Sequence, residues 1–186
     1  MSDRVYCPSC GEEVEPFVVI EKGDEIIKCS ACGLNLSDVL ETRITLSKVL
    51  LAEDSKLLRE MAQEIFIKKG LTEDIQVFED GEALIESYIR ALTNYDATAL
   101  IVLDIRMPNV GGFETGLAVR DIEKDFSVSK PTPILFFSAV KADDDVRKLL
   151  NKLSPAAYVY KGHESRPDVL AERLYKVILK LFQSKK

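Results

Sequence analysis

Between residues 48 and 160, five short and almost wholly apolar runs alternate with stretches whose apolar residues recur at helical spacing. The runs are Lys48–Ala52, Ile75–Phe78, Ala99–Leu103, Ile134–Phe137 and Ala157–Tyr160. The intervening periodicity predicts helices over 55–69, 82–92, 114–126 and 143–153, and a last one over 168–182 with Leu170, Leu174, Ile178 and Leu181 on one side. Strands joined through helices cannot pair as hairpins, so the alternation demands a parallel sheet with helices on both faces. The runs are continuously apolar, as strands covered on both faces are, and none reads as an amphipathic edge. No internal repeat or low-complexity stretch competes with this α/β reading.

Each of four runs ends in a polar residue: Glu53 and Asp54 after the first, Asp104 after the third, Ser138 after the fourth and Lys161 after the fifth. Open parallel sheets bind ligands beyond the carboxyl ends of their strands, where the strand order reverses, so these residues are expected to converge in one cleft. Three carboxylates brought together repel one another, and a divalent cation relieves that repulsion. An all-oxygen donor set with few protein ligands suits Mg2+. A carboxylate is a competent nucleophile toward phosphorus, and Ser138 and Lys161 would neutralise charge on the phosphoryl oxygens.

The N-terminal segment has a different character. All four cysteines fall there as two C-x2-C pairs, Cys7 with Cys10 and Cys29 with Cys32, separated by residues 11–28. The spacing suits one closed, tetrahedral, four-thiolate zinc site of structural type. A redox dithiol and incidental buried thiols are the competing readings. A redox C-x-x-C usually stands once, whereas here two pairs are each followed by glycine, Gly11 and Gly33. Phe17–Ile20 and Glu25–Lys28 are β-prone runs around the turn Glu21-Lys22-Gly23-Asp24, and a hairpin there would return the second pair to the first. With CPSCG and CSACG as knuckles, the segment resembles a zinc ribbon over roughly residues 5–35. The organisation expected is a ribbon and connector over 1–41, with 34–46 as connecting chain, then an α/β domain over 45–186.

The formal net charge of −6 is unevenly spread. Residues 1–44 hold four basic and nine acidic side chains, a net of −5, which leaves −1 for the remainder. An acidic module beside a near-neutral one lacks the clustered lysine and arginine that grip phosphate backbones, so nucleic acid is not an expected partner. No apolar run is long enough to cross a bilayer and the start lacks the layout of a secretion signal, so no membrane insertion and a cytoplasmic location are expected.

From about residue 45 to 186 the chain resembles the receiver domain of two-component response regulators. The resemblance rests on Val49-Leu50-Leu51-Ala52-Glu53-Asp54, on Val102-Leu103-Asp104-Ile105-Arg106-Met107-Pro108 with Gly112, on Phe137-Ser138-Ala139, and on Ala157-Tyr158-Val159-Tyr160-Lys161. It implies a receiver/flavodoxin-like sheet of order 2-1-3-4-5. It also implies Asp104 as phosphoacceptor, and Asp54 as a direct Mg2+ ligand with Glu53 acting through water. The backbone carbonyl of Arg106 would complete the ligands, Ser138 and Tyr158 would be switch residues, and Lys161 would hold a phosphoryl oxygen. Here Gly162 follows Lys161, where receivers typically carry proline.

The function expected is therefore a phosphorylation-switched signalling protein and not a turnover enzyme. A sensor histidine kinase or phosphotransfer protein would supply the phosphoryl group. Because the chain ends at Lys186, output is expected through protein contacts with a downstream partner, on the surface near Val140–Leu150 and Ala157–Tyr160 or on the ribbon, without a C-terminal effector domain. Two alternatives stand beside it. One is a scaffold with a vestigial acidic site. The other is a haloacid-dehalogenase-type phosphatase, which wants an acid two residues after the nucleophile, where this chain has Arg106. Taken singly, the site residues have plainer readings: Asp54 with Ser55 as a helix cap, Tyr158 as a packing residue. His163 reads as a loop residue, and Asp143-Asp144-Asp145 as a helix start.

Overall fold

The computed structural model describes residues 4–7, 9–10, 12–21, 24–34, 36, 44–139, 141–162 and 167–183. Most of the expected connector, together with Gly11, the turn residues Lys22 and Gly23, Val140 and His163, lies outside them. The chain divides into two compact units, Met1–Ile44 and Thr45–Lys186.

The first unit holds two antiparallel pairs. Strand β1 (Val5–Cys7) pairs with β2 (Glu12–Val14), and β3 (Pro16–Glu21) with β4 (Asp24–Cys29). The second pair is the expected hairpin. The first, with three residues in each strand, was not foreseen, because so short a segment shows no periodicity. Val5, Cys7, Val14, Cys29 and Leu36 form its small buried core, so two of its five members are thiols.

The second unit is built from β5 (Val49–Ala52), α1 (Lys56–Lys68), β6 (Ile75–Phe78), α2 (Gly81–Thr93) and β7 (Leu100–Leu103). It continues through α3 (Gly112–Asp125), β8 (Ile134–Ser138), α4 (Asp144–Lys152), β9 (Ala156–Tyr160) and α5 (Pro167–Gln183). The five strands form one parallel sheet of order β6-β5-β7-β8-β9, the order that the resemblance implied. Helices α1 and α5 pack together, as do α2 and α3.

Helix starts follow local chemistry. Ser55 and Asp80 cap α1 and α2 by accepting the N–H of Leu58 and Ala83, and Asp143 caps α4 by accepting those of Asp145 and Val146. All of β5, β7 and β8 is buried, as the continuous apolar runs required. Burying each such Leu or Ile is worth roughly 1.5–3 kcal/mol. At the sheet edge, however, β6 exposes Gln76 and Val77. The expectation is that no strand reads as an amphipathic edge; β6 is an edge whose two exposed residues are adjacent, so its exposure comes from the missing neighbouring strand and not from alternation.

Beneath the sheet is a buried polar network that no motif announced. The Tyr88 hydroxyl, on α2, donates to Glu123 Oε1 at 2.9 Å and lies 2.8 Å from Thr132 Oγ1. Glu123 also pairs with Arg120 at 2.6 Å and accepts the Thr132 N–H at 2.6 Å. Arg120 in turn donates to the carbonyls of Thr132 and Leu153. The network joins two helices to the loops before β8 and β9. Tyr88→Phe removes one of its donors while leaving Glu123 paired. It should lower the stability of this unit by about 1–2 kcal/mol. In urea titrations this appears as a lower midpoint at unchanged slope, and an unchanged midpoint would show that the hydroxyl carries no net stability.

Candidate functional site

The sheet register itself assembles the acidic cluster. Strand order reverses between β5 and β7, whose last residues, Ala52 and Leu103, are register partners. The residues that follow, Glu53 and Asp104, are therefore neighbours, with the Asp104 N–H bonded to the Ala52 carbonyl at 2.9 Å. One oxygen from each of Glu53, Asp54 and Asp104 lies within 4.8 Å of the others. Glu53 and Asp104 are buried, at 3% and 7% exposure, whereas Asp54 is exposed.

The opposite wall comes from β8 and β9. Ser138 and Tyr160 are the last partners of that ladder, and the Lys161 N–H bonds the Ser138 carbonyl at 2.8 Å. Both Ser138 and Lys161 are buried. The Lys161 ammonium donates to Glu53 Oε2 and stands 3.1 Å from Asp104 Oδ1. That contact with Asp104 is ionic without hydrogen-bond geometry, since Asp104 Oδ1 has no hydrogen-bond partner; Asp104 Oδ2 accepts the Arg106 N–H at 3.2 Å. Burial pushes the Glu53 carboxyl above its ordinary range, and the Lys161 ammonium pulls against that rise. The Tyr158 hydroxyl is buried without a hydrogen-bond partner, and burial, with the nearby Tyr160 and the Asp104 carboxylate, raises its pKa.

Backbone geometry around the cluster is tightly constrained. A Cβ on Gly112 would stand 2.0 Å from the Asp104 carbonyl oxygen, so only glycine lets α3 begin there. The loop after Asp104 is tied to the start of α2 by Asn109 Nδ2 donating to Asp80 at 3.1 Å and by the Gly81 N–H bonding the Val110 carbonyl. Gly162 adopts φ +82°, open to glycine but strained for residues with a side chain.

Sequence reasoning missed Arg59. Its guanidinium, buried on α1, donates to the carbonyls of Glu53 at 2.6 Å and Asp54 at 3.3 Å, and pairs with Glu79 at 2.8 Å. It braces the backbone that carries both acids. A signal existed: Arg59 occupies the buried stripe of α1 with Ala62, Ile65 and Phe66, where an unpaired charge would be costly.

In the first unit, the Sγ atoms of Cys7, Cys10, Cys29 and Cys32 also lie within 4.8 Å of one another. Cys7 and Cys32 are separated by 3.6 Å and Cys10 and Cys29 by 3.8 Å, far beyond a disulfide bond. Four thiolates at about 2.3 Å from one tetrahedral zinc stand about 3.8 Å apart, so the donor set fits that ion. The Cys32 N–H bonds Cys29 Sγ at 3.4 Å, and Gly33, at φ +73°, closes the knuckle by returning its N–H to the Cys29 carbonyl. The Leu34 N–H lowers the Cys32 thiol to about 6. A hydrogen bond with Cys32, together with burial, raises the Cys10 thiol.

Residues 49–174 match the response regulator receiver domain family. A protein-glutamate methylesterase/protein-glutamine glutaminase 1 of Syntrophus aciditrophicus is 31% identical over 110 residues, which are 59% of this chain and 28% of that protein. Hybrid signal transduction histidine kinase I of Dictyostelium discoideum is 29% identical over 98 residues, 53% of this chain and 6% of that protein. The chain thus spans under a third of the length of these curated relatives. Among solved structures, the receiver domain of the Arabidopsis thaliana histidine kinase CKI1, complexed with Mg2+ and BeF3-, superposes with a TM-score of 0.60 at 18% identity, covering 74% of this chain and 90% of that one. The response regulator domain of Thermotoga maritima CheB gives 0.56 at 20% identity, covering 76% and 96%. At these identities the structural likeness is one of fold.

Lys161→Met would leave two buried carboxylates facing each other without a cation. The cost should be about 3 kcal/mol at neutral pH. A carboxyl whose folded pKa lies above its unfolded value loses stability as pH rises between the two, and the substitution widens that window for Glu53 by removing the ammonium. The deficit should therefore shrink as pH falls toward the ordinary value of 4.5, in urea titrations of both proteins. A deficit independent of pH would mean that Lys161 acts by packing alone.

Proposed function

Because the chain belongs to the response regulator receiver family, we propose that residues 45–186 form a phosphorylation switch in which Asp104 accepts a phosphoryl group. The observation that carries this reading is the set of three carboxylate oxygens, one each from Glu53, Asp54 and Asp104, within 4.8 Å of one another at the carboxyl edge of the sheet. The donor set is all oxygen, partly solvent-open through Asp54, and fits Mg2+, which keeps several waters and favours one or two carboxylates plus a phosphate. Asp54 would ligate directly, Glu53 through water, and Arg106 through its carbonyl.

When bound, Mg2+ would neutralise charge on the phosphoryl oxygens. The rest of the chemistry falls to side chains. A carboxylate oxygen of Asp104 attacks phosphorus in line, the bond to the leaving group breaks, and the leaving group departs with the electron pair. Lys161, released from its contact with Asp104, holds a phosphoryl oxygen. Ser138 offers its hydroxyl to another, and Tyr158, whose buried hydroxyl lacks a partner, follows by changing rotamer. The phosphoryl donor would be a histidine kinase or phosphotransfer protein.

Residues 1–41 are read as a structural zinc ribbon with its connector, the ribbon held by Cys7, Cys10, Cys29 and Cys32 and serving protein contact. Its core is too small to fold on apolar burial alone, so the ion supplies the missing free energy.

Incubation with Mg2+ and a small phosphodonor should retard the native chain on a phosphate-affinity gel and leave Asp104→Asn unmoved. Asp54→Ala should slow the reaction by an order of magnitude or more. Equal retardation of Asp104→Asn would defeat the assignment. As purified, the chain should carry about one zinc by atomic absorption. Cys29→Ser should lose it together with the ordered amide signals of the first unit, without changing phosphorylation of Asp104.

A further inference from the structure

At the end of the sheet remote from Asp104, three helices finish in the same way, with one difference. Each closes with a Schellman motif, in which the second residue past the last turn bonds back to the carbonyl five residues earlier and the residue before it takes a left-handed conformation. In α1 the bonds are Leu71 N–H to Phe66 and Gly70 N–H to Ile67, and the left-handed residue is Gly70, at φ +63°. In α2 they are Asp96 N–H to Ala91 and Tyr95 N–H to Leu92, and the left-handed residue is Tyr95, at φ +56°. In α3 they are Val128 N–H to Glu123 and Ser127 N–H to Lys124, with Ser127 at φ +54°.

Tyrosine at such a position breaks two local rules. A bulky side chain strains the left-handed backbone where glycine does not. Tyr95 is also 95% exposed, so among the described residues none compensates by burying its ring. Residues that violate local preference without an internal gain are expected at functional or strained sites.

The surroundings state what could supply it. An open groove of about 530 Å3 is lined by Leu92, Tyr95, Asp96, Phe126 and Val128, and Phe126 is itself 45% exposed. The last turns of α2 and α3, which pack together, deliver their carbonyl ends to this groove. The basic residue in each last turn, Arg90 and Lys124, is paired with an acid of its own helix, Glu86 and Asp121, so both macrodipoles still present partial negative charge. Asp96 adds a carboxylate that is 48% exposed, and its basic partner, Lys48, is only 11% exposed and is shared with Asp74. Aromatic faces beside negative charge attract a cation, most strongly a planar guanidinium. The apolar residues between them accept the neighbouring aliphatic side chains.

We infer that this groove is a docking site for an arginine-bearing apolar segment of a partner protein, engaged at the end of the receiver opposite its phosphoacceptor. The assignment stands independently of the chemistry at Asp104.

The test uses the full chain, labelled for amide NMR, and an acetylated, amidated tetrapeptide of alternating leucine and arginine, beside a counterpart carrying glutamate for arginine. The arginine peptide should shift resonances of residues 92–97 and 126–128, and the glutamate peptide should not. Tyr95→Gly relieves the backbone strain, so it should raise the thermal midpoint while weakening the arginine peptide about fivefold or more. That pairing separates lost recognition from lost folding. The proposal is overturned if neither peptide shifts the groove, if both shift it equally, or if Tyr95→Gly lowers the midpoint, which would show the ring to be an internal support. Groove resonances that move with protein concentration in the absence of peptide would overturn it in favour of a second copy of this chain.

Discussion

Two buried carboxylates, Glu53 and Asp104, share the buried ammonium of Lys161, and the rest of the second unit is arranged to keep those groups together. Uncompensated, either acid would be expelled from so dry an environment or forced to take up a proton. Their adjacency follows from the pairing of Ala52 with Leu103 at the reversal of strand order. The lysine arrives because β9 ends one residue earlier and its following N–H is tied to Ser138. Two carboxylates thus share one ammonium, leaving the cluster with an excess of negative charge that a cation would relieve.

The supports around this cluster divide the labour. Arg59 holds the backbone that carries Glu53 and Asp54, reaching across to Glu79. Gly112 lets the following helix approach the Asp104 carbonyl, and Asn109 with Asp80 anchors the loop between them. The first unit solves a different problem. With Cys7 and Cys29 among the five buried core residues, its interior has little apolar bulk, and the four clustered thiols form a donor set that fits a metal ion.

Much of this was legible in the amino-acid order. Continuous apolar runs announced β5, β7 and β8, and the polar residue closing each run announced the cleft, because both signals are local. Signals that depend on a distant partner were silent. The half-exposed edge strand β6 looks like its buried neighbours over four residues. Arg59 and the Tyr88–Glu123–Arg120 network each look unremarkable until the chain folds, since their partners lie on other elements. The three-residue strands β1 and β2 carry too few residues for a period to appear.

Two kinds of information thus meet in this protein. The residue order by itself determined the alternation of strand and helix, the metal-spaced cysteines, and which acids and which lysine terminate strands, because each depends on neighbours within a turn or a strand. Only the tertiary structure decided that Lys161 bridges Glu53 and Asp104, that Arg59 braces the acidic loop, and that Tyr95 stands exposed on a strained helix end. Those outcomes depend on the direction in which a side chain leaves one element and on what another element brings to meet it, and no local pattern encodes that meeting.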